Sequence, residues 1–162
     1  MTSKYEITDV QRDIQHPKNK NYFRIRALRD IPSAKVKAGD LGGWIENENN
    51  LSQEGECWVT KHAYVGENAC VSGNARVYGY ATVCGKAQVY DNAQVYGCAT
   101  VTGTTKCNED MKIHRCCMIE RSDQIYYVDG ITAYFDSFNR LITNGTAHNI
   151  KHHRTLARLK LL

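Results

Sequence analysis

From Val59 to Val101 an inward-type apolar residue returns every sixth position. Valine stands at Val59, Val65, Val71, Val77, Val83, Val89, Val95 and Val101. Alanine lies two residues before all but the first, at Ala63, Ala69, Ala75, Ala81, Ala87, Ala93 and Ala99, and Thr105 takes the next such place. An amphipathic helix cannot carry this period, because six residues advance about 600° at 100° each and the apolar stripe would drift around its surface. Short strands can carry it. In a strand the alanine and the following valine point to one side while their neighbours point to the other. The next two positions are pairs such as Gly73-Asn74, Gly79-Tyr80, Gly85-Lys86 and Asp91-Asn92, residue types that tolerate a sharp corner. Each hexad therefore reads as one strand and one corner. Three hexads close a triangular coil, and each coil pairs with the next at about 4.8 Å.

The predicted fold is mainly β: a short left-handed parallel β-helix with valine and alanine inside. Ile45 and Leu51 keep the spacing, but Leu51 and Val59 are eight apart, so two residues bulge out around Glu54 to Glu56. The ten hexads so counted make little more than three coils, a stack about 15 Å tall at the spacing above. Open coil ends expose valine and unpaired strand edges, so caps are needed. The alternating stretch Tyr22 to Ile31 is the expected N-terminal strand cap. The chain divides into a cap over 1–44, the β-helix over 45–106 and a C-terminal region over 107–162. There the period is read as ending at Thr105. "IYYVDGITAYF" predicts a β-hairpin turning at Asp129-Gly130, "RLITNGT" a second Asn-Gly turn, and "NIKHHRTLARLKLL" a short basic helix.

Residues eighteen apart stack, so the outward surface can be written face by face. The Val77 face shows Trp58 and Thr60, then Arg76 and Tyr78, then Gln94 and Tyr96: an aromatic and cationic ladder. The Val83 face is mostly small, with Tyr64, Gly66, Thr82, Cys84, Thr100 and Thr102. The Val89 face shows Cys70, Ser72, Gln88 and Tyr90. Exposed aromatics on so small a solenoid mark an interface. The candidate binding residues are Trp58, Arg76, Tyr78, Lys86 and Tyr96, serving either ligand or subunit contact. Stacking rings beside Arg76 and Lys86 suit a nucleobase with a phosphate.

Composition narrows this further. A chain of 162 residues has a one-domain length, and a net charge of +4 with cations scattered among acids argues against nucleic acid as a partner. No apolar leader and no membrane-length run is present, so a soluble, non-exported, cytoplasmic protein is expected. Seven cysteines are an odd number, which fits reduced, buried thiols better than a disulfide framework. Cys70, Cys84 and Cys98 are fourteen apart, so the repeat sends them to three different structural positions and no shared metal site follows. No metal or cofactor is expected. His62 is the one histidine inside the repeat as read, in a corner column with Tyr80 and Cys98.

Hexads such as "VSGNARVYGYA" resemble those of hexapeptide-repeat left-handed β-helix proteins, a family that includes many acyltransferases. From "KAGDLGGWIENENNLSQEGECWV" onward, and most specifically in Gly39 to Trp44, the chain is similar to hexapeptide-repeat proteins of phages and prophages. That resemblance implies a homotrimer in the host cytoplasm. It also implies a non-catalytic accessory protein, one that sequesters a small nucleotide-like signal or blocks a host defence protein. The alternative it implies is a CoA-dependent acyltransferase with His62 as general base. Against the alternative, no loop interrupts the hexads to close over a substrate, and so few coils offer little wall for a pantetheine arm.

Overall fold

A computed structural model of the chain describes residues 3–14 and 20–114, together with the strand residues 118–119, 125–128, 131–135, 141–143 and 146–148. The hexads form two-residue strands: β4 (Trp58–Val59), β5 (Tyr64–Val65), β6 (Cys70–Val71), β7 (Arg76–Val77), β8 (Thr82–Val83), β9 (Gln88–Val89), β10 (Gln94–Val95) and β11 (Thr100–Val101). Strands eighteen residues apart pair in parallel, as Val59 with Val77 and Val77 with Val95. The bonds between coils are regular: the Thr60 N–H donates to Val77 O and the Tyr78 N–H to Val95 O, both at 2.9 Å. Every valine of the repeat is fully buried. The molecule is a parallel β-helix of about four turns, left-handed as expected.

Corners follow the residue types. Gly73, Gly79, Gly85, Gly97 and Gly103 sit at φ between 63° and 71°. A Cβ on Gly79 would lie 2.9 Å from both N and O of Gly97 one coil on, so close stacking as well as φ selects glycine there. Acidic residues take the same conformation at Glu67, Asp91 and Glu109. Their carboxylates have a use: Glu67 Oε2 accepts the Gly85 N–H at 2.7 Å, and Asp91 Oδ2 accepts the Glu109 N–H at 3.2 Å.

The ladder does not stop at Thr105. It continues through β12 (Lys106–Cys107), β13 (Lys112–Ile113) and β14 (Met118–Ile119), paired with β9, β10 and β11. The period of six persists with Cys107, Ile113 and Ile119 in the valine places, where a search for valine and alanine loses it. On the N-terminal side the two-residue bulge is where the spacing placed it. Ile45 of β3 (Leu41–Ile45) pairs with Val65, and Leu51 bridges to Val71, both twenty residues on. A short 3-10 turn at Glu48–Asn50 joins them. Buried Asn50 fixes this corner with four bonds: Oδ1 accepts from the Glu46 and Asn47 N–H groups, and Nδ2 donates to Glu67 O and Ala69 O.

The N-terminal cap is larger than one strand. β1 (Tyr5–Ile14) and β2 (Lys20–Ala27) form an antiparallel hairpin, and β2 runs antiparallel to β3. The hairpin thereby extends the Val83 face into a sheet ordered β1-β2-β3-β5-β8-β11-β14. β2 ends at Ala27 rather than at Ile31, which instead bridges to Val36 in the loop that follows. At the bulge the cap plugs the open coil. The Lys4 N–H donates to Gln53 Oε1 at 2.8 Å, its ammonium reaches Glu54 O at 3.1 Å and Cys57 Sγ at 3.0 Å, and the Tyr5 hydroxyl donates to Leu51 O at 2.7 Å.

Beyond the coils, β15 (Ile125–Val128) and β16 (Ile131–Phe135) pair as the expected hairpin. β17 (Leu141–Thr143) and β18 (Thr146–His148) complete an antiparallel meander. The proposed turn residues Asp129 and Gly130 and the basic segment 150–162 lie outside the described residues. Among the described residues no helix is long and apolar enough to cross a membrane. Cys57, Cys70 and Cys84 are free thiols, but Cys98 is disulfide-bonded, which corrects the expectation of wholly reduced cysteines.

Candidate functional site

Parity along the strands puts residues 58, 76 and 94, and residues 60, 78 and 96, outward on the Val77 face, and each column was read as free surface. The structure separates them. Trp58 is outward-facing but only 1% exposed, because the cap lies over it. Gly42 on β3 makes that approach possible: a Cβ there would fall 2.6 Å from the Trp58 indole and 2.6 Å from Ile25 Cγ1. Trp58 is therefore a packing residue of the cap, which corrects its reading as an exposed binding ring. Arg76 is likewise engaged. Its guanidinium donates to Ser33 O at 2.9 Å, and the Ser33 N–H donates to Glu56 Oε2 at 2.9 Å, so the pair pins the turn at Pro32–Ala34 onto the first coils.

Further down the same face the rings are stacked and half-buried. Tyr78 and Tyr96 lie 4.7 Å apart between centroids with 2° between their planes, and His114 continues the stack 4.7 Å beyond Tyr96. The Tyr78 hydroxyl donates to Gln94 Oε1 at 3.0 Å. Burial raises both phenols above their ordinary value, and in Tyr78 the neighbouring Tyr96 adds to this. Both hydroxyls are therefore neutral donors at physiological pH. From sequence His114 enters only a loose cluster with Cys107, Cys116 and Cys117 that lacks metal-ligand spacing, and not this column, because the repeat was read as ending before it. The signal was present, since 114 is eighteen beyond 96.

Stacking along the helix axis covers the ring faces with one another and leaves edges and hydroxyls outward. A nucleobase cannot slide between rings already in contact at that distance.

Lys86 does not join this group. It is exposed at the corner between the Val83 and Val89 faces, in column with Asn68 and Thr104, across the prism from the Val77 face. His62 occupies the corner beside the Val77 face. It is exposed and stacks on Tyr80 with centroids 5.1 Å apart, and Tyr80 is itself 70% exposed. No hydrogen bond orients the imidazole among the described residues.

A second feature was not foreseen. Where the 36–41 loop of the cap crosses the first rung of the Val77 face it leaves a cleft of ≈ 440 Å³. Arg24, Val36, Asp40 and Leu41 line it from the cap, and Trp58, Thr60 and Lys61 line it from the coil. It required the loop and the coil to meet, and no spacing in the chain encodes that meeting.

No protein-family profile matches this chain. Over 61 residues it is 38% identical to the uncharacterized acetyltransferase YdcK of Escherichia coli (strain K12). The match takes in 35% of this chain and 18% of YdcK, so the chain spans under a fifth of that relative.

Proposed function

A hexapeptide-repeat β-helix offers a scaffold with flat, addressable faces, and we propose that this one is a non-catalytic binding protein that grips a protein partner along the Val77 face. The observation that carries the reading is the Tyr78, Tyr96 and His114 stack. Its rings are fixed against one another, so their ordering on binding costs little entropy, and they present edges and hydroxyls to a partner surface. Aromatic residues of this kind dominate interface energetics. A protein surface suits such a band better than a nucleotide does, since the ring faces are occupied and Arg76 is already bonded to Ser33. Of the two partners that the phage resemblance implies, a host protein is therefore the one we favour.

The second reading, a CoA-dependent acyltransferase, is favoured by the similarity to YdcK. It rests on His62 as general base, and an exposed imidazole with no hydrogen bond to set its proton among the described residues is poorly set for proton abstraction.

The two readings part in one experiment. The Tyr78→Ala/Tyr96→Ala pair and His62→Ala are each compared with the parent for partner retained in a quantitative pull-down from host lysate, and for acetyl-CoA-dependent thiol release. We expect the ladder variant to lose the retained partner by tenfold or more, His62→Ala to keep it, and thiol release to stay at background. Thiol release that falls about 10²-fold or more in His62→Ala would instead establish the transferase.

A further inference from the structure

We propose that the cleft between the cap and the first coil binds the carboxylate of a small aliphatic group. Two cations of the cleft have no hydrogen-bonded or ionic partner among the described residues. The Arg24 side chain makes no hydrogen bond or ion pair among the described residues. Its guanidinium carbon sits 4.9 Å from the centroid of the Trp44 ring, and its Nε is buried with no acceptor. The cation–π contact holds this guanidinium in place at little further entropic cost. Lys61, exposed on the opposite wall, also has no ion pair among the described residues. Among the described residues the only carboxylate lining the cleft is Asp40, whose Oδ2 already accepts the Lys37 N–H at 2.8 Å. Two cations against one anion leave a net single positive charge, which a monoanion neutralises.

The rest of the wall selects the body of the ligand. Val36 and Leu41 come from the cap, Trp58 underlies them almost wholly covered, and Leu41, 49% exposed, is the main apolar surface open to a ligand. The exposed Leu41 side chain beside these cations matches an acid with a short apolar tail. The cleft is of the size that small-molecule sites occupy. A sugar phosphate would set polar atoms against Val36 and Leu41 and bring a second negative charge beside Asp40. The same chemistry belongs to a free short-chain acid and to the C-terminal residue of a peptide ending in leucine. The proposal uses none of the residues of the Tyr78 stack, so it stands or falls apart from the protein-binding reading.

The test is titration of the full chain, followed by amide chemical shifts, with four probes: isovalerate, an acetylated tetrapeptide ending in leucine, its C-terminal amide, and inorganic phosphate. We expect saturable shifts at Gly39, Leu41 and Thr60 with isovalerate, with the free-acid peptide, or with both, and the pattern between those two assigns the source. We expect no saturation with the amide and weaker binding of phosphate. Lys61→Ala and Leu41→Glu change exposed side chains and should each raise Kd tenfold or more with the melting temperature unchanged. Arg24→Gln should abolish binding, and because Arg24 packs on Trp44 it is read only alongside those two. Absence of saturation by both carboxylates, equal binding of the amide, phosphate binding as tight as isovalerate, or an unchanged Kd in Lys61→Ala and Leu41→Glu would each overturn the proposal.

Discussion

Lys4 sits where lysine chemistry is least favoured: its side chain is wholly covered, facing the Cys57 thiol and a carbonyl. Burial is the main cause that pulls its ammonium below the ordinary value of 10.5, with Cys57 acting in the opposite direction. A base depressed in the fold binds fewer protons folded than unfolded at every pH between its two pKa values. Stability therefore rises with pH across that window and is lowest below it. Buried Tyr5 and Tyr22 act the other way. Burial raises both phenols, Tyr22 to about 12, so the fold loses stability once unfolded tyrosine ionises above its ordinary value of 10.0. We expect the urea midpoint to climb as alkaline pH approaches the ordinary lysine value from below, until tyrosine ionisation sets in, and Lys4→Met to flatten that climb. An equal climb in Lys4→Met would show that Lys4 is not its source. Nothing in the repeat pointed to Lys4, since a polar residue ahead of the first strand reads as solvent-exposed until the bulge at Glu54 is seen to receive it.

At the scale of the hexad, each strand is two residues long and would not persist alone. Its stability comes from parallel pairing above and below and from an inward valine that gives up its whole surface, worth about 1.5–3 kcal/mol per side chain. Register is then unforgiving, because neighbouring positions face opposite sides. Val77→Asp or Val83→Asp places an unpaired carboxylate inside a prism lined by valine and alanine. The cost of several kcal/mol is a large part of a typical total of about 5–15 kcal/mol. We expect both variants to unfold, while exposed Gln88→Asp stays within about 0.5 kcal/mol of the parent by urea denaturation. Equal midpoints for inward and outward variants would refute the register. The hexads with valine were legible from spacing alone. Those at Cys107, Ile113 and Ile119 were missed because a buried prism position asks for a compact apolar side chain, and cysteine and isoleucine answer that demand as valine does.

The whole molecule stacks five rungs on its longest face, about 19 Å at ~4.8 Å per step. Such a stack has a thin core and three flat faces. The cap closes one end and part of the Val77 face, but leaves the Tyr78, Tyr96 and His114 band half-exposed along with the small residues of the Val83 face. We propose that three copies close into a cyclic ring in which the small-residue Val83 face meets a neighbour. The expected mass by light scattering at micromolar concentration is three times that of the chain, and a monomeric mass would exclude the ring. If the Tyr78→Ala/Tyr96→Ala pair falls to monomers, the band is the subunit contact and the partner surface lies elsewhere.

A period of six with valine, alanine and corner residues determined the β-helix by itself, because no other regular structure returns every sixth side chain to one interior. The same spacing located the bulge between Leu51 and Val59, and it stacked Tyr78 on Tyr96 before any coordinates were known. What the spacing could not determine is which outward residues remain outward once the chain folds back. Trp58 and Arg76 lie on the same face as the stacked rings, in the neighbouring column, and only the cap removes them from the surface. Lys86 shares the composition of the ladder but turns a corner away from it. The cleft at Arg24 and Lys61 exists because residues nearly forty apart in sequence meet across an antiparallel addition to a parallel coil. Repeats write local geometry into the chain at every sixth residue, whereas a cap is a single event, fixed by long-range packing that no period records.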